Sequence, residues 1–371
     1  MKIALLHYWL TNMRGGEKVL AALGEIFPDA DIFTHAHIPE NVLPFSRFRV
    51  RESLVARLPF GRRHPQAYLP LMPMATRQLD LNGYDLIVSS ESGPIKGIRK
   101  PHGARHVCYC HTPMRYLWDM YDDYYRCAGF AGKIAMKAFA GYLRREDLKS
   151  AESVDEFVAN SAFVAERIKR IYGRESTVVH PPVDVDFFGA EESAQLPGNI
   201  EPKSYYLYAG ELRDYKRPDL AVDACLRMGR KLVIVGNGKM RDRLQKHAGH
   251  SKDIMFLGRV SAAELRAVFS CARALLFPGI EDFGIIPVEA QAAGIPVIAR
   301  GKGGALETVV DGATGLFFRE DSVSNLCAAI ERFESVLWSA EECRNNAERF
   351  SPEKFSEKFN AVLRQGLNGV L

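Results

Sequence analysis

Glu281-Asp282-Phe283-Gly284-Ile285-Ile286-Pro287-Val288-Glu289 joins an apolar run, Ala274-Leu275-Leu276-Phe277-Pro278, to a helical pattern that continues to Ala293. The run is short, wholly apolar and closed by proline, as a buried parallel strand should be. Pro287 suits the first turn of a helix, where its missing N–H is one of the donors left unbonded in any case. The segment therefore reads as strand, loop and helix start. Backbone N–H groups at such a start bind anions. Glu281 and Glu289 flank them and can accept hydrogen bonds from neutral polyols, so one short segment can hold a phosphate, a ribose and a hexose. The alternative is an N-capped core helix with two solvated acids, and spacing alone leaves both readings open.

The wider segment carries more. Phe277-Pro278-Gly279-Ile280-Glu281-Asp282-Phe283-Gly284, Glu289-Ala290-Gln291-Ala292-Ala293-Gly294-Ile295-Pro296-Val297-Ile298 and Gly303-Gly304-Ala305-Leu306-Glu307-Thr308-Val309 closely resemble the donor site of retaining GT-B glycosyltransferases of family 4. Within that family the chain looks most like the mannosyltransferases that build bacterial O-antigen and exopolysaccharide repeats. The resemblance runs from Met1 to about Phe350 and is strongest after Asn160. It implies a donor site in which Glu289 holds the ribose, Glu281 a hydroxyl of the transferred sugar, and Phe283, Gly284, Ile285 and Ile286 offer main-chain groups to the diphosphate.

A chain of 371 residues exceeds what one hydrophobic core usually organises, so two domains are expected. With 47% hydrophobic and 25% charged residues it is globular, and no apolar run approaches the ~20 residues of a membrane span. The start, Met1-Lys2-Ile3-Ala4-Leu5-Leu6-His7, is interrupted by His7 and lacks a small-residue cleavage site, so it reads as a first strand rather than a signal peptide. Seven cysteines without paired or metal-ligand spacing point to reduced thiols in a cytoplasmic compartment, with Cys108 and Cys110 as small core residues. A net charge of +4 is too small to argue for nucleic acid.

Strand and helix patterns alternate without repeats, which is α/β organisation. Strands are expected over 2–7, 84–90, 105–110 and 157–160 in the first half, and over 205–208, 231–235, 254–257, 274–277 and 296–299 in the second. Two doubly wound, Rossmann-like domains follow, 1–181 and 182–351, with a prolyl linker at 180–184. Ser351-Pro352-Glu353 opens a last amphipathic helix, 352–371, which the resemblance sends back to the first domain. Ligands of such sheets bind beyond the carboxyl ends of the strands, so the resemblance and the fold together expect the cleft between the domains to be the site.

A leaving diphosphate needs cations. Ala209-Gly210-Glu211-Leu212-Arg213-Asp214-Tyr215-Lys216-Arg217 follows a strand where the family places an Arg and a Lys on that diphosphate. Lys216 matches the Lys, but Glu211 stands where the family usually has Arg, and Arg213 or Arg217 is expected to compensate. The alternative is a solvated charge cluster. Gly15 and Gly16, between the first strand and its helix, allow close backbone approach by donor phosphate or acceptor. His111, after Cys110, matches a family histidine near the transferred sugar; by itself it reads as a structural histidine. Gly236-Asn237-Gly238 raises a nicotinamide dehydrogenase as a rival, but the third glycine of that fingerprint would fall at Arg241. The resemblance instead puts Gly236, Arg259 and Val260 beside the nucleobase.

No Asp-x-Asp follows a strand, so no metal and no other cofactor is expected; Asp122-Asp123 reads as a surface or acceptor loop. No nucleophile is in evidence either. The family retains anomeric configuration by front-side attack in which the leaving phosphate helps deprotonate the acceptor. Arginines 47, 49, 51, 57, 62 and 63 surround Leu54-Val55 and Leu58-Pro59-Phe60, and a second basic stretch runs from Lys133 through Lys137 to Arg144 and Arg145. Basic flanks on an apolar stripe suit an anionic bilayer, and equally a solvated face packed on the core. The expectation is therefore transfer of a hexose, mannose from GDP-mannose, to a polyprenyl-linked oligosaccharide at the cytoplasmic face of the inner membrane. A UDP-hexose donor, a sugar-nucleotide epimerase or a nucleotide-binding protein on the same fold are the alternatives.

Overall fold

The protein is described here by a computed structural model covering residues 1–190, 196–197 and 200–368; residues 369–371 of the expected 352–371 helix lie outside it. The chain divides into two compact units, residues 1–180 together with the chain end from Ser356, and residues 181–355. Each is a parallel sheet with helices between its strands.

In the first unit the strands are β1 (Ile3–His7), β2 (Asp31–Thr34), β3 (Val50–Glu52), β4 (Leu86–Glu91), β5 (Arg105–Cys110), β6 (Glu156–Ala159) and β7 (Ser176–Val178), in the order β3-β2-β1-β4-β5-β6-β7. The second holds β8 (Tyr205–Ala209), β9 (Lys231–Val235), β10 (Ile254–Gly258), β11 (Leu275–Phe277), β12 (Val297–Arg300) and β13 (Gly315–Phe318), ordered β10-β9-β8-β11-β12-β13. Both are doubly wound and reverse direction once, between β1 and β4 and between β8 and β11. The expected strands are all present within a residue or two at their ends. β2, β3, β7 and β13 are additional; each has only three or four residues, and β3, β7 and β13 are sheet edges, too short to show a hydrophobic period. All seven cysteines are free thiols, and Cys108 and Cys110 are buried with Phe157 and Val164.

The helix Pro352–Asn368 lays Phe359, Val362 and Leu363 inward. Arg105 ties it to β5 by donating to the main-chain carbonyl of Leu363 at 2.6 Å. The segment 54–57, expected as part of an apolar, basic docking stripe, is a short 3-10 turn whose Val55 is fully buried. Three of its neighbouring arginines are already paired: Arg47 with Glu25, Arg51 with Asp31 and Arg62 with Glu52.

One polar knot lies within the first unit. Lys96, wholly buried, donates from Nζ to Glu91 at 2.5 Å and to Asp147 at 2.5 Å. Asp147, on the helix Phe130–Ala151, also accepts from Trp118 Nε1 at 2.7 Å, and Glu91 from the Lys96 backbone N–H at 2.5 Å. The knot thus clamps the end of β4, the following loop and that helix together. Two carboxylates share one ammonium, and burial, reinforced by Asp147, pushes the Glu91 carboxyl up to about 7 against the pull of Lys96. Removing the cation leaves both acids uncompensated in the core, which costs about 3–5 kcal/mol. Lys96→Met should therefore lower the unfolding free energy extrapolated from urea titration by that amount, and Glu91→Gln added to it should recover part of the loss.

Candidate functional site

In an open α/β sheet the loops on either side of the reversal diverge and leave a crevice at the carboxyl ends of the strands. The second unit puts Lys216 and Glu281 there. Lys216 lies on the loop after β8 and Glu281 on the loop after β11, the two strands that flank the reversal, and Lys216 Nζ sits 2.7 Å from Glu281 Oε1. Burial opposes the ammonium, but the Glu281 carboxylate, with Tyr215 and Glu211 nearby, raises the lysine pKa above its ordinary value. The cation and the acid singled out separately in the sequence are thus one ion pair.

Beside them the helix Ile285–Ala292 begins at Gly284, whose φ of +85° favours glycine, and no side chain caps it. With Pro287 as its third residue, the first turn offers the N–H groups of Ile285 and Ile286. Glu289 stands one turn further along and is 8% exposed. Phe283 is expected to act through its main chain. Its ring is buried, edge-on to Phe350 at 5.5 Å, so only its main chain is available to a ligand.

The other expected cations have local partners. Arg213 Nε lies 2.8 Å from Glu211 Oε1, so the acid in the family's Arg position pairs with the residue expected to replace it. Arg217 takes a left-handed backbone, φ +52°, at the start of the helix Pro218–Met228, and its guanidinium is held by Asp219 and Asp321. The local geometry therefore directs Arg217 to those aspartates and not toward Glu211. Gly236 has φ +124°, and its N–H donates to the Gly258 carbonyl at 2.7 Å. A Cβ there would fall 2.0 Å from the Gly210 carbonyl oxygen, so its role in this structure is to let the loops after β8 and β9 touch. Arg259 is exposed beyond β10, and Val260 packs partly against the core.

The first unit repeats the arrangement with different chemistry. Gly15 and Gly16 open the helix Gly15–Ile26 rather than preceding it, and a Cβ on Gly16 would lie 3.1 Å from the Tyr8 hydroxyl and 3.6 Å from His111 Nε2. His111 follows β5, and its Nε2 is 2.8 Å from Ser90 Oγ at the end of β4. Burial, with His7 and Arg115 nearby, pulls its pKa down to about 3, so the ring is neutral at physiological pH and serves as a hydrogen-bonding group. Sequence reasoning missed His7, Glu17 and Ser90 here. The available signal was position: His7 ends β1 and Ser90 lies near the end of β4, the strands flanking the reversal. Among the described residues no group of three or more His, Cys, Asp or Glu side chains is placed to hold a metal ion.

With this geometry in hand, the chain's likenesses are informative. Residues 13–187 match the family described as Glycosyltransferase Family 4, and residues 190–350 that described as Glycosyl transferases group 1. The chain belongs to the group 1/family 4 glycosyltransferases and has the GT-B fold. Among curated proteins it is 29% identical over 180 residues to a D-inositol 3-phosphate glycosyltransferase of Mycobacterium sp. (strain JLS), an alignment that spans 44% of this chain and 41% of that relative. Among solved structures it is similar to Anabaena HepE in complex with UDP and glucose (TM-score 0.73, 17% identity, 98% of this chain and 99% of that one). It is also similar to sucrose-phosphate synthase from Thermosynechococcus elongatus (TM-score 0.73, 18% identity, full coverage of both chains). At such identities the structures speak for the fold.

The loop contact at Gly236 yields a direct test. Gly236→Ala forces a side chain into a left-handed backbone and against the Gly210 carbonyl, and should cost about 1–3 kcal/mol or more. Thermal unfolding reads the loss, with Gly229→Ala, also at positive φ (+61°) but with no atom within 4 Å of the added Cβ, as the milder control.

Proposed function

We propose that the protein is a retaining glycosyltransferase that moves a hexose, mannose from GDP-mannose, to a polyprenyl-linked oligosaccharide in surface-polysaccharide synthesis. The observation that carries the transferase reading is the Lys216–Glu281 pair at the β8/β11 reversal beside an uncapped helix start. A diphosphate carries more charge than a carboxylate and competes with Glu281 for Lys216. Once the ammonium turns to the diphosphate, Glu281 is released to accept from a hydroxyl of the sugar, and the Ile285 and Ile286 N–H groups meet the remaining phosphate charge. Glu289 takes the ribose. The choice of mannose rests on the sequence resemblance. The complex of HepE with UDP and glucose supports a second reading, a UDP-hexose donor on the same groups.

Electrostatic stabilisation of a departing charge is worth about 10²–10³ in turnover per donor. Lys216→Ala should therefore cut kcat by roughly that factor. Glu289→Ala should weaken nucleotide binding in calorimetry, and Glu281→Ala should mainly lower turnover. Titration with GDP, UDP and their sugar conjugates decides the donor: tighter binding of GDP-mannose supports the first reading, and tighter binding of a UDP-hexose the second. Transfer unchanged by EDTA is expected, since cationic side chains and main-chain donors meet the diphosphate; loss on chelation and recovery with Mg²⁺ would refute metal independence.

Peripheral attachment to the membrane is also proposed, on a different surface from the arginine-rich turn. No described helix is long and apolar enough to cross a membrane. On the helix Phe130–Ala151, however, Phe130 is 83% and Ile134 54% exposed, spaced with Lys133 and Lys137 along one face. An apolar stripe between lysines suits an anionic bilayer. Vesicles rich in acidic lipid should bind the protein and lose it as salt rises, and Phe130→Ser with Ile134→Ser should abolish co-sedimentation while leaving nucleotide binding intact.

A further inference from the structure

Four side chains in the first unit form a line from the interior to His111. Glu17, 2% exposed, accepts the Arg14 backbone N–H on Oε2 at 3.0 Å and presents Oε1 to Nε2 of His7 at 3.6 Å. His7, wholly buried, places Nδ1 3.2 Å from Ser90 Oγ, and the same oxygen lies 2.8 Å from His111 Nε2. Ser90 has one proton to give, so it donates to one histidine and accepts from the other. The line therefore has two possible directions, and whatever sits at its inner end chooses between them.

Glu17 sits at that end. It stands in the first turn of the helix Gly15–Ile26, where the helix dipole favours a negative charge. A carboxylate is attracted to an N–H and repelled by a lone pair, and in a buried site that difference is large. It orients His7 with the proton on Nε2, leaving Nδ1 to accept from Ser90. The Ser90 oxygen must then accept from His111, whose proton is on Nε2. We infer that Glu17 and His7, acting through Ser90, are positioning residues that hold His111 in the Nε2–H tautomer and leave its Nδ1 lone pair as an acceptor for a substrate hydroxyl. The functional half of this inference rests on the transferase reading above; the tautomer does not. The groups facing the His111 ring otherwise are the Tyr109 ring at 5.2 Å, Tyr8 and Arg115, of which only Arg115 is a permanent charge.

The same unit contains its own standard. His106 places Nδ1 3.1 Å from the Ser153 carbonyl, which can only accept, and its Nε2 lies 2.8 Å from Ser89 Oγ. His106 must therefore carry its proton on Nδ1, the opposite tautomer from His111 five residues further on, although their partners Ser89 and Ser90 are adjacent. A carbonyl sets the one and a carboxylate, three steps away, sets the other.

The test is nitrogen NMR of the full chain labelled with ¹⁵N-histidine and free of substrate, with His106 as the internal reference. The expected spectrum shows His111 protonated on Nε2 and His106 on Nδ1. In Glu17→Gln the amide oxygen keeps the Arg14 N–H and turns the NH₂ to His7, which reverses the polarity of the 3.6 Å Glu17–His7 contact and with it both hydrogen bonds of Ser90. His111 should then carry its proton on Nδ1, while His106 is unchanged. Ser90→Ala, which breaks the line without touching the helix cap, should leave His111 as a mixture of tautomers. A wild-type His111 protonated on Nδ1, or a tautomer that ignores both substitutions, overturns the inference. If transfer is established, Glu17→Gln should lower kcat about tenfold, the value of one hydrogen bond, with the donor KM within about twofold. Unaltered kcat with a reversed tautomer overturns the functional half alone, and absence of transfer with any nucleotide sugar overturns the transferase reading and leaves the tautomer measurement standing.

Discussion

Crossovers between parallel strands are right-handed, and a sheet wound that way from its middle must reverse direction once. In each unit this constraint places the reactive groups. At β8 and β11 the diverging loops bring Lys216 against Glu281; at β1 and β4 they bring His7 against Ser90 and, through it, His111. None of these side chains is close to its partner in sequence. They meet because strand order, set by packing of apolar crossovers on both faces, leaves a crevice there. Glycines then let the loops close: Gly236 against Gly210 in one unit, and Gly16 against Tyr8 and His7 in the other.

The two crevices differ in their electrostatics. The second unit is built for charge, with an ammonium held beside a carboxylate and main-chain donors at an uncapped helix start, groups that respond to a diphosphate without a change in their own protonation. The first is built for neutral hydrogen bonds. His111 there is held well below the ordinary histidine range, to about 3, as His106 and His35 are elsewhere in the same unit, to about 4 each, because burial penalises the imidazolium. A neutral ring has one donor and one acceptor nitrogen, and so its tautomer matters as its charge would elsewhere. Such a ring offers hydrogen bonds to neutral groups without a charge of its own.

Elsewhere the protein balances its charges locally. Arg213 answers Glu211, Arg217 answers Asp219 and Asp321, and Lys96 holds two buried acids. Exposed pairs of this kind contribute little to stability, but they decide which cations remain available for a ligand. A run of basic residues in a sequence therefore overstates the positive surface. The arginines around residue 54 show this, since three of them are spent on Glu25, Asp31 and Glu52, whereas Lys133 and Lys137 lie beside exposed Phe130 and Ile134.

Much of the architecture was legible from local pattern. Long apolar strands such as Arg105–Cys110 and Lys231–Val235 show in the sequence because burial on both faces demands unbroken hydrophobic runs, and the start of the helix Ile285–Ala292 shows because Gly284 and Pro287 are backbone requirements that only a few residues meet. The acids and the cation of the second unit were visible for the same reason, lying next to such signals. Short edge strands were not, since three residues carry no period. Nor were the pairings themselves. That Lys216 would face Glu281, that Arg217 would turn to Asp321, that Phe283 would bury its ring, and that Glu17 would reach His111 through His7 and Ser90 depend on which strands lie side by side. Local sequence determines which elements form and which chemistry each can carry; only the tertiary fold decides which charges and protons meet, because those contacts join residues tens of positions apart whose distance is set by the sheet.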